Sequence, residues 1–560
     1  MQYQDATPLP DRNGFQIFLH KISPTAIHNM RIRFGAAATG RALALAAVTL
    51  LNAIQAGAQQ RARTSTAPFH VEGATIAQIH AAMQDGSLTC VGLVQQYLRR
   101  IDAYDKKGPA VNAIVLVNPD ALATAADLDR RFARDGIAEP LQCIPLIVKD
   151  NYQTAGLRTT AGSLSLKGFI PREDAFVVRK LREAGAIVLA KSNMDEFAFS
   201  PYETVSSILP GYTRNPYDLA RVTAGSSGGT AAAIAADFGA VGLGTDTGNS
   251  IRGPSAFLSL VGIRPTMGLT SRTGVVPLFL SADVTGPMAR RVADAVALLQ
   301  VMAGADSADT VTMHSTGRIP HSYAASLVRD GLKGARIGVL HQAYDRPSAD
   351  SEVMKLFRGA LDDMRAHGAQ IVDPVAVDSL AALLRIANAP CNPFRHDINQ
   401  YLSARGDQVP VHSLEEIIKS RQFHPSIETR LKDAQAVTEP PDQSAGCHEQ
   451  QEFRAQLRAA VLHLMDSNRL DALVYPTWSN VPRLIGDLNT PAGDNNQLFA
   501  PSTGFPAITV PMGFTRDGTL PAGVQFFGRA WSEPELIKLA YSYEQATMHR
   551  HPPSSTPALR

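Results

Sequence analysis

The sequence is short of several things, and each shortage removes a class of protein. It has no excess of charge of one sign: 53 Lys and Arg face 51 Asp and Glu, a formal net charge of +2. Composition therefore gives no support for nucleic-acid binding. It has no apolar run long enough for a spanning helix, so stable membrane insertion is not expected. It has only 4 cysteines, with no CxxC and no Cys/His metal spacing. Cys90, Cys143, Cys391 and Cys447 can pair if the chain is exported, and their spacing does not say which pairs with which. His396, His412, His424, His448, His463 and His549 are scattered and read as surface or core residues. No cofactor and no metal is expected. The G-K-[ST] of a phosphate loop is also missing.

What is present is apolar bulk. With 560 residues, 45% of them hydrophobic, the chain can fill one large core or two smaller ones. Its start differs from the rest. Residues 1–29 have no evident role, and Met30 is a candidate initiator. Residues 30–58 read as a signal peptide: Arg31, Arg33 and Arg41 are basic, Ala42 to Ile54 is apolar, and Ala56-Gly57-Ala58 is an A-x-A cleavage site. The expectation is a secreted or periplasmic protein beginning at Gln59; a transit peptide or disordered tail is the competing reading. Residues 59–74 form a short lead, 75–548 the folded domain, and 549–560 a tail.

Helix and strand signals alternate along the domain. Thr75 caps a helix with Ile76, Ile79 and Met83 on one face and Gly86 beyond its end. Thr89 caps a second, with Val94, Tyr97, Leu98 and Ile101 at helical spacing. A third covers Asp120 to Asp135. Ile144 to Val148 reads as a buried strand that delivers Lys149 at its C-terminal end. A helix from Asp174 to Ala184 leads to a strand, Ile187 to Lys191. Later strands are Arg336 to Leu340, Ile371 to Val372, Asp471 to Tyr475, Ala507 to Pro511 and Gly523 to Phe527. Between them Val353, Leu356, Phe357, Ala360 and Met364 line a helix. This predicts an α/β fold, a large twisted mixed β-sheet with helices on both faces. Residues 388–452 are polar and poorly patterned, and read as helices and loops over the sheet near a substrate entrance.

One stretch stands apart, Thr223 to Pro254. It opens with Gly225-Ser226-Ser227-Gly228-Gly229, continues through an Ala-rich run, and ends in Gly244-Thr245-Asp246-Thr247-Gly248-Asn249-Ser250. Two surface turns flanking a core helix would be the plain reading. The apolar flanks argue instead that both loops are buried, and buried loops need a reason. Glycine-rich turns let backbone N–H groups converge on an anion.

These loops, with the T-D-T-G-x-S-I-R turn and the upstream Ile144 to Asp150 segment carrying Lys149, resemble the signature of the amidase signature family of serine hydrolases. Weaker matches run from Ile76 to about Thr547. The resemblance implies Ser250 as nucleophile, Ser226 as relay and Lys149 as base, with a cis peptide between Gly225 and Ser226. It implies oxyanion donors among the N–H groups of Thr247, Gly248, Asn249 and Ser250. Asp246 and Arg252 would pair to hold the turn. Lysine serves as a base only when neutral, and burial favours that form. The substrate implied is a small-molecule amide; a homodimer stays open.

Two positions depart from the commoner family form. Asn249 stands where Gly is usual just before the nucleophile, and Ala224 also replaces a common Gly. Asn tolerates left-handed backbone, so the turn is expected to survive. Rival readings remain. Gly225 to Gly229 also fits the G-x-S-x-G nucleophile elbow with Ser227 as nucleophile, which requires a preceding strand. The others are carbamate or ester hydrolysis, a non-catalytic binding protein and an amidotransferase subunit.

Overall fold

The computed structural model describes residues 69–387 and 389–559. The segments read as an extension (1–29) and a signal peptide (30–58) lie outside the described residues, as does most of the lead.

Among the described residues there are thirteen strands: β1 (Ile114–Val117), β2 (Pro145–Lys149), β3 (Ile187–Ser192), β4 (Arg214–Asn215), β5 (Asp218–Val222), β6 (Val241–Asp246), β7 (Val261–Arg264), β8 (Val284–Ala289), β9 (Arg336–Leu340), β10 (Gln370–Val375), β11 (Ala472–Pro476), β12 (Ala507–Thr515) and β13 (Leu520–Phe527). Eleven form one sheet in the order β1-β3-β2-β6-β8-β7-β12-β13-β11-β9-β10, and β4 and β5 make a separate ribbon. Pairing is parallel for β3/β2/β6 and β11/β9/β10, and antiparallel elsewhere. The sheet is therefore mixed. β2 and β6 read as unbroken buried runs, as strands covered on both faces do.

The helices follow their caps. Thr75 closes a capping box with Gln78 on α1 (Ile76–Gln84), and Thr89 accepts from Gly92 N at the start of α2 (Cys90–Tyr104). Then come α3 (Ala121–Asp135), α4 (Phe176–Glu183), α5 (Gly228–Ala235), α6 (Arg252–Phe257), α7 (Val292–Met302) and α8 (Ser351–Ala366). Helix α5 is buried on every side against β2, β3, β6 and β8. Its small residues are a steric necessity: a Cβ on Gly242 of β6 would already collide with Thr230 and Ile234 of α5.

Residues 388–452 contain α10 (Phe394–Ser403), α11 (Leu414–Ser420) and α12 (Glu428–Ala436), after α9 (Leu380–Ala387) and before α13 (Ala445–Ser467). Their apolar side chains do not join the main core. Phe394, Ile398, Leu402, Leu414, Ile417 and Leu431 gather with Phe169, Met194, Phe197 and Leu278 in a second cluster. Short α14 (Phe499–Thr503) and long α15 (Glu533–Thr547) complete the fold. Two disulfides are formed, Cys90–Cys143 and Cys391–Cys447, with Cα separations of 5.3 and 4.7 Å.

Candidate active site

The parallel neighbours β2 and β6 end side by side, and the site is built on their C-terminal ends. Lys149 closes β2 and is completely buried. Its Nζ donates to Ser226 Oγ at 2.7 Å and to Thr245 Oγ1 at 2.8 Å; Asn151 Nδ2 reaches the same threonine at 3.1 Å. No carboxylate among the described residues pairs with Lys149. Burial therefore dominates and pulls its pKa down to about 7, against a weaker upward pull from Asp283, Asp246 and Asp195.

Ser226 sits where the chain turns into α5. The Gly225–Ser226 peptide is cis. A Cβ on Gly225 would run into the carbonyls of Glu203 and Ser200, so only glycine fits. Ala224 adopts φ 60°, the left-handed conformation in which the commoner glycine would be relaxed. Ser227 makes no hydrogen bond to Lys149 or Ser250 among the described residues: its Oγ donates to Thr245 O at 3.2 Å and accepts from Thr245 N at 3.3 Å. A strand, β5, precedes Gly225 to Gly229, joined to β4 by a turn at Pro216 and Tyr217. It belongs to the small ribbon rather than the main sheet, as a nucleophile elbow would not.

After β6 the chain makes the turn Thr247 to Ile251 before α6. Among the described residues, the N–H groups of Thr247, Gly248, Asn249 and Ser250 have no acceptor. Ser250 is 5% exposed, and its Oγ donates to Asn249 Oδ1 at 3.4 Å. No hydrogen bond joins it to Ser226 among the described residues. Asn249 does not use the left-handed backbone expected of it. Its side chain instead ties the turn down, donating through Nδ2 to Pro201 O and to Asp494 Oδ2, both at 3.2 Å.

Beneath the turn lies a buried charge cluster. Arg252 donates to Asp246 through Nε and Nη2, at 3.1 and 3.2 Å, and to Gly248 O at 2.7 Å. Arg264, at the end of β7, donates to Asp246 Oδ1 at 2.8 Å. Burial pushes the Asp246 carboxyl up, but the two guanidiniums outweigh it and bring it down to about 2. Thr247 Oγ1 donates to Asp283, which also accepts from Leu278 N. Arg264, Asp283 and Asp494 escaped the sequence reading. Arg264 and Asp283 stand beside apolar runs and Asp494 does not, so no common local signal marks the three.

A cavity of about 470 Å³ opens over this turn and reaches Ser250. Phe199, Tyr202, Leu278 and Phe279 give it apolar walls, and Cys391 and Pro393 extend it toward the second cluster. Among the described residues, no three His, Cys, Asp or Glu side chains come together in a set that could hold a metal ion.

Comparison with known proteins gives the family. A family model described as Amidase matches residues 92–537. A probable amidase of Arabidopsis thaliana is 33% identical over 506 residues, which is 87% of this chain and 92% of that protein. A glutamyl-tRNA(Gln) amidotransferase subunit of Symbiobacterium thermophilum is 34% identical, over 86% of this chain and 98% of its own length. The solved peptide amidase of Stenotrophomonas maltophilia superposes with a TM-score of 0.75 at 37% identity, over 86% of this chain and 98% of that one. With the family model spanning most of its length and relatives of this identity, the chain belongs to the amidase family of amidase signature enzymes.

Proposed function

We propose that this protein hydrolyses the C–N bond of a linear carboxylic amide through an acyl-enzyme. Ser250 Oγ attacks the amide carbonyl, and its proton passes through Ser226 to neutral Lys149. The oxyanion is held by the unpaired N–H groups of Thr247 to Ser250. The tetrahedral intermediate collapses, the C–N bond breaks, and the proton returns from Lys149 through Ser226 to the leaving amine. Water then repeats the sequence and releases the acid. The Ser250 hydroxyl must swing from Asn249 toward Ser226 as substrate enters; such contacts commonly tighten only in the complex.

The observation that carries this reading is Lys149: a buried amine with no carboxylate partner among the described residues, bonded to a serine hydroxyl. The peptide amidase likeness favours an amide over a carbamate or ester. An amidotransferase subunit is the second reading, favoured by relatives so named. The two disulfides weigh against it, because such bonds persist in oxidising compartments. They support export, and cleavage after Ala58 rests on the A-x-A pattern of the sequence. The purified protein should take one fluorophosphonate, on Ser250, and release ammonia or amine from a panel of amides, anilides, carbamates and esters. Ser250→Ala should lose both. A probe found on Ser227, or full turnover by Ser250→Ala, overturns the assignment. An N-terminus upstream of Gln59 on active protein overturns the export reading.

A further inference from the structure

The cavity over Ser250 has an uneven charge. Two guanidiniums line it, Arg430 from α12 and Arg454 from α13, and no Asp or Glu side chain does. Neither arginine has a carboxylate partner among the described residues. Each instead rests one N–H on a backbone carbonyl: Arg430 on Phe199 O, and Arg454 on Ser281 O at 2.5 Å. A guanidinium has five donors in a planar fork, so most of each fork stays available. Arg454 is half-buried beside Arg458, and burial with that like charge lowers its pKa rather than raising it. An anion arriving here meets two guanidiniums without a direct ion pair, although Asp195, across the wall, offsets part of the charge of Arg430.

A neighbouring cavity of about 410 Å³ shares Phe199, Tyr202 and Arg430 with the first, and differs in sign. It adds Asp195, Glu203 and Asp487, with Arg483. Arg430 stands on the wall between the two. Within the chamber that holds Ser250, an anion has two cations to engage and no carboxylate in the lining.

Resting on the amidase reading, we propose that the preferred substrate is an amide bearing a carboxylate, which Arg430 and Arg454 engage while the amide carbonyl lies at Ser250. Phe199, Tyr202, Leu278 and Phe279 would pack the apolar span between the two groups.

The test uses three N-acetylated dipeptide amides, acetyl-X-Leu-NH2, in which X is Glu, Gln or Lys. Glu and Gln differ almost only in charge. The full-length protein should cleave the Glu amide with kcat/KM about tenfold above the Gln amide, with Lys lowest, mainly through KM. Arg430→Gln and Arg454→Gln should each shrink the Glu-to-Gln ratio, the double variant should bring it near one, and Arg454→Lys should keep part of it. A wild-type ratio of one, or a ratio that survives the double variant, overturns the proposal and leaves the amidase reading standing. If no peptide amide is cleaved, two fluorophosphonates that end in a carboxylate or a primary amide read the same preference at Ser250. Faster inactivation by the carboxylate probe, lost in the double variant, supports the proposal; equal rates overturn it. Labelling by neither probe defeats the amidase reading, and this proposal with it.

Discussion

Lys149 is kept near neutrality by its surroundings alone, and this has a thermodynamic signature. Its folded pKa is about 7, far below the ordinary value of about 10.4, so the unfolded chain holds the proton more tightly. Folding stability from this residue therefore rises as pH climbs from about 7 to about 10. At pH 6 both states are charged, and the cost of burying the ammonium is fully present. Lys149→Met should thus lose turnover yet gain stability at pH 6, by roughly 2 kcal/mol after two lost hydrogen bonds are deducted. Urea unfolding at pH 6 and pH 10 checks this, and the gain should shrink or reverse at the higher pH. In the wild type, kcat/KM should rise through about pH 7 as the base forms. Asn249 gives a second residue-level prediction. Asn249→Gly restores the commoner residue but removes both tethers of the turn and adds backbone freedom. It should cost about 2–3 kcal/mol in urea unfolding and lower kcat, although the family form carries Gly there.

At the scale of elements, the Cys391–Cys447 bond joins the loop before α10 to the first turn of α13. Cys391 itself lines the cavity, and Gln450 and Arg454 on α13 line it too. The bond closes a sequence separation of 56, long enough for a cross-link to matter in the chain-entropy picture. A Cys391→Ser/Cys447→Ser variant should raise KM by about tenfold and change kcat by less than about twofold, because Ser250, Ser226 and Lys149 hang on β2 and β6 instead. Steady-state kinetics of the variant decides it; a loss confined to kcat would contradict the argument. The same division shows what the sequence made legible. β2, β3, β9 and β11 were readable as apolar runs between turn signals. β8 was not: Gly286 and Pro287 argue against a strand, yet β8 pairs with β6 and β7 in mid-sheet. Helix α7 was missed because it is largely apolar on more than one face, which blurs a 3.6-residue period, and α15 because buried Glu533, Ser542 and Glu544 interrupt its apolar face. Asp246 and Arg252 were legible because they are six positions apart on one turn. Arg264, Asp283 and Asp494 meet that turn only through tertiary folding, so no local pattern could announce them.

Across the described residues, the two larger of three apolar clusters share most of the site. The larger spans the sheet and carries the residues proposed for chemistry; the smaller holds α10, α11 and α12 and supplies part of the cavity wall. The smaller cluster has fewer fully buried side chains, and its helices expose most of their outer faces. Native-state hydrogen exchange should find α10 to α12 opening at lower free energy than β2 and β6. Protection in α10 to α12 equal to that of β2 would show one cooperative unit instead.

That second cluster also bears on how such a protein can diversify. Substitutions among residues 388–452 alter the wall facing a substrate while the lysine, the serines and the turn of free N–H groups stay anchored elsewhere. Natural selection can therefore retune diet without reinventing the reaction. A directed-evolution library restricted to that segment should yield new substrate preferences at a low rate of dead clones, whereas one spread over β2, α5 and β6 should yield mostly inactive protein.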